Sequence, residues 1–305
     1  MSRLIVCSEA DLPSVNMRAS LRSMGGWEDL GEADGISFCS KDDTFMMSIP
    51  DMHVRHDDLD IQAEVFGIHV DDVIVMSRHS AKSGKPALTA HPIGNYKGNE
   101  FGGREKALVK ASPALMSDAL RRIVAYNDVP ENQTCFEVTH HGPWLERPTF
   151  YIEIGSDESH WGDLHSADTL ARVISDLDPH DEYPTVVGVG GGHYAPRFTD
   201  VVLSHKVNFG HMLPLYQYED ADDEEFLRML KDACEASGTD QVYIHKKSMK
   251  GAEARRVKAL VESAGYDTPA SADFEEFSVN PRTCLRTSLR GWPSSVRQGS
   301  FRRRS

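Results

Sequence analysis

The stretch EVTHHGPW, residues 137–144, sets a carboxylate and two adjacent imidazoles at the end of an apolar run and stops it with Gly-Pro. Three other segments bring histidine close to glycine or proline: RHSAKSGKPALTAHPIGNY (78–96), GGGHYAP (190–196) and VNFGHMLP (207–214). His79, His91, His140, His141, His193 and His211 therefore read as loop residues at or just past strand ends, and such loops tend to converge above one edge of a sheet. Two chemistries suit the group. Imidazoles with one or more carboxylates are an ordinary zinc ligand set, and zinc lowers the pKa of a bound water to about 7. Without metal, a Glu-His pair serves as base and orienter for attack of water on an ester. Neither HExxH nor a zinc-ribbon spacing is present, so spacing alone does not choose between them. Strand alternation puts Glu137, Thr139 and His141 on one side and Val138 and His140 on the other, so both imidazoles share a pocket with Glu137 only if the Gly142-Pro143 turn twists the chain. Glu153, inside TFYIEIG (149–155), is a second carboxylate in an apolar strand, read either as a site residue or as an edge residue facing solvent.

Two phosphate-binding look-alikes fail. VVGVGGGHYAP has His193 where GxGxxG needs its third glycine, and SGKP (83–86) has His79 where a P-loop needs its first. No nucleotide cofactor is expected. What remains at residues 190–196 is a strand-to-helix turn with His193 pointing outward and a helix beginning near Pro196. The free N–H groups of such a turn suit a phosphate or an oxyanion.

These residues need a scaffold, and the rest of the chain supplies alternating strands and helices. LIVC (4–7), GISFCS (35–40), DVIVMS (72–77), QTCFEVT (133–139), TFYIEIG, TVVGVG (185–190) and QVYIH (241–245) read as strands. Residues 112–127 read as a helix with Ser112 as N-cap and Pro113 in the first turn, 222–238 as one that opens on acids and closes on Gly238, and 252–265 as one that ends on Gly265. Apolar strands alternating with amphipathic helices imply a layered α/β domain whose sheet is covered on both faces.

Charge divides the chain. Residues 282–305 carry seven arginines and no acid, which leaves 26 basic against 47 acidic residues over 1–281, a formal charge of −21. A folded domain over 1–281 and a flexible Arg-rich basic tail over 282–305 are expected. Acids favour Asp over Glu (27 to 20) and bases favour Arg over Lys (21 to 12), a balance that suits a very salty, halophilic cytoplasm. Within the acidic body, Lys82, Lys85, Lys97, Arg104, Lys106 and Lys110 gather around the first histidine segment, and a second group lies at 246–258. The first is placed to hold an RNA backbone. Five scattered cysteines, no CxxC pair, no spanning apolar run and no visible signal peptide point to a soluble cytoplasmic protein with no membrane attachment.

The order of RHSAKSGKPALTAHPIGNY, EVTHHGP, FYIEIGSDESHW, VGVGGGHYAPRFTD and GHMLP resembles the D-aminoacyl-tRNA deacylases of the archaeal and plant type, over about residues 1–277. Val138 is larger than the resemblance leads one to expect. The resemblance implies hydrolysis of the ester joining a D-amino acid to the 3′-terminal ribose of tRNA, and Zn2+ as cofactor. It also implies a three-layer α/β/α fold with a mixed sheet, like that of phosphorylases and peptidyl-tRNA hydrolases. By position it singles out His79, His91, Glu137, His140, His141, Glu153 and His193. The sequence leaves open which of these hold metal. The division adopted gives Glu137, His140 and His141 to catalysis and His79, His91, Glu153 and His193 to the metal. Lys82, Lys85, Asn95, Lys97, Gly142, Gly191 and Gly192 are expected to hold the acceptor end or the oxyanion, in a protein expected to be monomeric. Two rivals stand beside this: a peptidyl-tRNA hydrolase cutting the same ester, and a non-catalytic RNA-binding protein with a structural metal.

Overall fold

The computed structural model describes residues 2–278, so the expected domain boundary and the arginine tail lie outside the described residues. Among the described residues thirteen strands form in chain order: β1 (Arg3–Ser8), β2 (Glu28–Ala33), β3 (Ile36–Lys41), β4 (Thr44–Ile49), β5 (Asp72–Arg78), β6 (Ala87–Pro92), β7 (Gly94–Asn95), β8 (Ala107–Leu108), β9 (Gln133–Phe136), β10 (Thr149–Gly155), β11 (Thr185–Val189), β12 (Asn208–Leu213) and β13 (Val242–Ile244). Eight of them make one mixed sheet in the order β2-β3-β4-β1-β5-β10-β6-β9. At its centre β4, β1, β5 and β10 run parallel, and β6 lies antiparallel to β10.

Period-two alternation sorts the central strands into two faces. Ile5, Cys7, Ile74, Met76, Phe150, Ile152 and Ile154 point to the face covered by helices α1 (Leu12–Ser23), α3 (Pro113–Tyr126) and α5 (Leu164–Ser175). Leu4, Val6, Val73, Val75 and Tyr151 point the other way, where α2 (Leu59–Val65) packs through Leu59 and Ala63. Helices thus cover both faces of a mixed sheet, as expected. Each fully buried large aliphatic or aromatic side chain contributes about 1.5–3 kcal/mol.

The second sheet is a departure. β12, β11 and β13 do not extend the main sheet but form a parallel three-stranded one, flanked by α6 (Pro196–Ser204), α8 (Asp223–Ser237) and α9 (Gly251–Ser263). Its strands are short, and β12 packs between α3 and α8 rather than pairing with β9. Helix ends mostly follow the residues named from sequence. Asp222 caps α8 by accepting from the Glu225 N–H, and Gly238 closes it at φ 65°. Ser112 is the exception: it sits at the N-cap of α3, but its hydroxyl donates to Asp72 Oδ1 at 2.5 Å instead. Among the described residues no helix is long and apolar enough to cross a membrane.

Candidate active site

The register between β10 and β6 builds the floor of the site. Tyr151 faces His91 and Glu153 faces Thr89, so all four side chains share the sheet face opposite α1, α3 and α5. Glu153 is 2% exposed at the centre of the sheet, which discards the reading of it as an edge residue. His91 likewise lies within β6, and His211 within β12, rather than in loops.

The EVTHH segment does more than continue β9. After Phe136 the Glu137 N–H donates to Ala90 O of β6, while the Val138 N–H donates to His193 O and the Thr139 N–H to Met212 O. This short run stitches the main sheet to the second one, and it carries His193 to Glu137. Strand alternation stops here. Glu137 meets His140, not His141, and Thr139 turns to His211, whose Nδ1 lies 3.0 Å from the Thr139 hydroxyl. His141 takes a left-handed conformation at φ 46°, which swings its ring back beside that of His140 at a centroid distance of 4.4 Å.

The seven residues named from sequence converge. His79 Nδ1 lies 3.1 Å from Glu137 and 3.5 Å from Glu153, and His91 Nε2 lies 3.6 Å from Glu153. His193 Nε2 lies 2.8 Å and His140 Nε2 3.7 Å from the other Glu137 oxygen. The His91 ring centroid is 4.2 Å from that of His140 and 4.9 Å from that of His141. The electrostatics split this cluster in two. Burial opposes charge on His79 and His91, but the carboxylates outweigh it and raise both, His79 to about 11. Burial likewise opposes charge on Glu137 and Glu153, yet their imidazole partners hold both well below the usual carboxylate range. Burial and the neighbouring His91 push the other two imidazoles down, His141 to about 4. A charged row, His79, Glu137, Glu153 and His91, therefore abuts a neutral pair.

Two sets of three donors lie close enough to hold an ion, His91, His140 and His141 in one and His79, Glu137 and His193 in the other, with donor atoms in each set within 4.8 Å of one another. The expected division into catalytic and metal residues therefore does not follow the geometry, because each set mixes the two. Glu153 belongs to neither: it lies below them, between His79 and His91. The three-histidine set fits a metal well. Nδ1 of His91 donates to Pro92 O, that of His140 to Val138 O and that of His141 to Gly142 O, at 3.1, 2.7 and 2.7 Å. On the neutral rings these bonds fix the tautomer and leave each Nε2 lone pair for a ligand, so a metal there would displace the second proton that Glu153 favours on His91. His91 Nε2 and both Glu137 oxygens are buried without an aligned hydrogen bond, and a buried unpaired polar atom is costly.

The residues expected to hold substrate divide differently. Lys82, Lys85 and Lys97 are exposed. Asn95 is buried, and its amide nitrogen donates to Gly102 O and Arg104 O at 2.8 and 3.2 Å, so it pins a loop. Gly142 donates to Phe101 O, and a Cβ there would lie 2.2 Å from the Gly103 nitrogen, so this glycine is required by a backbone crossing. Gly191 donates to Ser248 Oγ and Gly190 to Leu213 O, which leaves the Gly192 N–H as the unbonded one of the three among the described residues. His193 does not simply point outward: its Nε2 turns in to Glu137 while 40% of its side chain stays accessible.

A buried chain behind the cluster was not legible in the sequence. Tyr151 packs against His91 and His141, its hydroxyl lies 3.3 Å from His53 Nδ1, and His53 Nε2 lies 3.6 Å from Asp11. Asp11 is also the N-cap of α1. The signal available was an Asp-Leu-Pro helix start, which announces a cap and nothing more.

Convergent imidazoles and carboxylates in a mixed α/β fold form one buried donor cluster, with two sets suited to a metal. A family model described as D-aminoacyl-tRNA deacylase matches residues 66–268. A D-aminoacyl-tRNA deacylase of Methanosarcina acetivorans is 35% identical, over 89% of this chain and 93% of that one, and one of Thermococcus onnurineus is 34% identical, over 87% and 98%. The chain spans 58% of the length of a 33% identical relative from Methanococcoides burtonii. A crystal structure described as a conserved protein of unknown function superposes with a TM-score of 0.81 at 30% identity, covering 90% of this chain and 98% of that one. The chain belongs to the D-aminoacyl-tRNA deacylase family.

Proposed function

We propose that the chain hydrolyses the ester between a D-amino acid and the 3′-terminal ribose of tRNA, with the His79–His193 cluster as the reacting centre. The observation that carries this reading is the Glu137–His193 contact at 2.8 Å, a buried carboxylate gripping a half-accessible imidazole inside a set of further donors. Glu137 orients His193, and His193 takes a proton from the attacking water. The water oxygen bonds to the ester carbonyl carbon, and negative charge gathers on the carbonyl oxygen, where the Gly192 N–H can donate. The bond from that carbon to the ribose oxygen then breaks, and His193 returns its proton to the leaving oxygen. Free tRNA and the D-amino acid result. Zinc held by His91, His140 and His141 would supply Lewis acidity and make a water more acidic. Exposed Lys82, Lys85 and Lys97 supply charge for the tRNA backbone.

Discrimination against the L substrate rests on clash, since the two enantiomers share every group. One tRNA charged separately with D-tyrosine and L-tyrosine tests the reading. Release of D-tyrosine with the L ester left intact is expected; equal release, or none from either, contradicts it. Peptidyl-tRNA assayed in parallel should remain uncleaved.

A further inference from the structure

The three parallel strands of the second sheet end at one edge, and the segments that follow them line a single cleft: 190–198 after β11, 215–219 after β12 and 245–248 after β13. Open α/β sheets take ligands at that edge. The cleft holds about 440 Å³ and continues past Arg197 and His245 into a second hollow of about 550 Å³, flanked by Lys246 and Lys247. Each is within the roughly 300–1,000 Å³ range of small-molecule pockets. Gly192 and Tyr194, the neighbours of His193 in the chain, line the first part, so the cleft adjoins the reacting centre.

Its lining suits a nucleotide. Tyr216 is 43% exposed and has no ring contact among the described residues, so an aromatic face stands free. A Cβ on Gly192 would meet nothing within 4 Å, which leaves open space beside its N–H. Arg197 spends its guanidinium on the neutral oxygens of Tyr243 and Ser271, and Lys246 and Lys247 are exposed; none of the three is ion-paired among the described residues. Two carboxylates also line the space, Glu219 near Tyr216 in the first part and Asp200 in the second.

Building on the deacylase reading, we infer that this cleft seats the 3′-terminal adenosine of tRNA, with its ribose at Gly192, its base on Tyr216 and its 5′-phosphate at Arg197, Lys246 and Lys247. The order follows from the reaction. The scissile ester is on the ribose, which therefore lies beside His193 and leaves the two hollows for base and phosphate. Stacking on Tyr216 holds the base, Glu219 accepts from the exocyclic amine, and the cations meet the phosphate.

Uncharged tRNA, intact or lacking its terminal adenosine but keeping the phosphate that joined it as a 3′-phosphate, is titrated against wild-type protein, Tyr216→Ala and the double variant Lys246→Ala/Lys247→Ala. The three replaced side chains are exposed, so the fold tolerates the changes. Wild-type protein is expected to bind intact tRNA roughly tenfold more tightly than the truncated form, the effect of one stacked base. Tyr216→Ala is expected to abolish that difference, and the lysine variant to weaken both complexes and flatten the salt dependence by about one to two units of slope. Equal wild-type affinity for the two RNAs, or a difference that survives Tyr216→Ala, overturns the assignment. Release from D-tyrosyl-tRNA is followed separately: its absence in wild-type protein defeats the deacylase reading, while the binding comparison still decides the cleft.

Discussion

The two faces of β10 are built for opposite purposes. Phe150, Ile152 and Ile154 enter an apolar core under α1, α3 and α5, whereas Tyr151 and Glu153, one residue out of phase, enter a buried polar cluster. Both faces exclude water, but only the first gains free energy by doing so. The second buries charges that must satisfy one another, and it holds them at fixed distances, as the proposed reaction requires. Stability and activity should therefore separate across a single strand.

Substitutions on either face can break that contrast. Phe150→Ala leaves a cavity on the apolar face and is expected to lower the unfolding free energy by about 3–5 kcal/mol, read from urea titration, while the molecules that remain folded release D-tyrosine normally. Next in size comes pH. His211 is buried, donates from Nε2 to Val109 O at 2.8 Å, and burial pushes its pKa down to about 4. Above pH 6.5 neither folded nor unfolded chain protonates it. As pH falls towards 4 the unfolded chain takes up a proton that the folded one refuses, so stability drops by about 3 kcal/mol across that window. A His211→Gln variant should lose correspondingly less between pH 7 and pH 4.5, and an unchanged loss would remove His211 as the cause.

On the polar face, His141→Ala is expected to reduce both bound zinc, measured by elemental analysis, and the rate of D-tyrosine release, the latter by about a hundredfold or about 2.7 kcal/mol. Loss of rate at full zinc content would instead place His141 in proton handling. The smallest change expected is for Tyr151→Phe, which deletes the hydroxyl facing His53 and should cost about 1 kcal/mol of stability; no measurable change would show that the chain to Asp11 is idle.

Much of this contrast was legible in the residues themselves. TFYIEIG forms a strand over the whole of its length, and its alternation already separates Glu153 from Phe150 and Ile154. Which face would be covered by helices was not legible, because it depends on the pairing of β10 with β5 and β6, segments about sixty to eighty residues earlier in the chain. The seven converging residues were named from their blocks, yet their grouping was not legible, since His141 adopts a left-handed backbone and Glu137 leaves the strand before its alternation could be applied. Asn95 and Gly142 were expected to hold the acceptor end or the oxyanion, but the Asn95 amide nitrogen is spent on the backbone of the 102–104 loop and the Gly142 N–H on Phe101 O. Side-chain-to-loop and strand-crossing bonds of this kind leave no periodic pattern in the sequence.

Glu137 is where these contacts meet, and it provides the most direct test. The rate of D-tyrosine release from one charged tRNA is compared between wild-type protein and Glu137→Gln, with urea midpoints recorded for both. A fall in rate of about a hundredfold or more with a cooperative unfolding transition retained is the expected result. A rate within a fewfold of wild type would contradict the claim that this buried cluster is the hydrolytic centre.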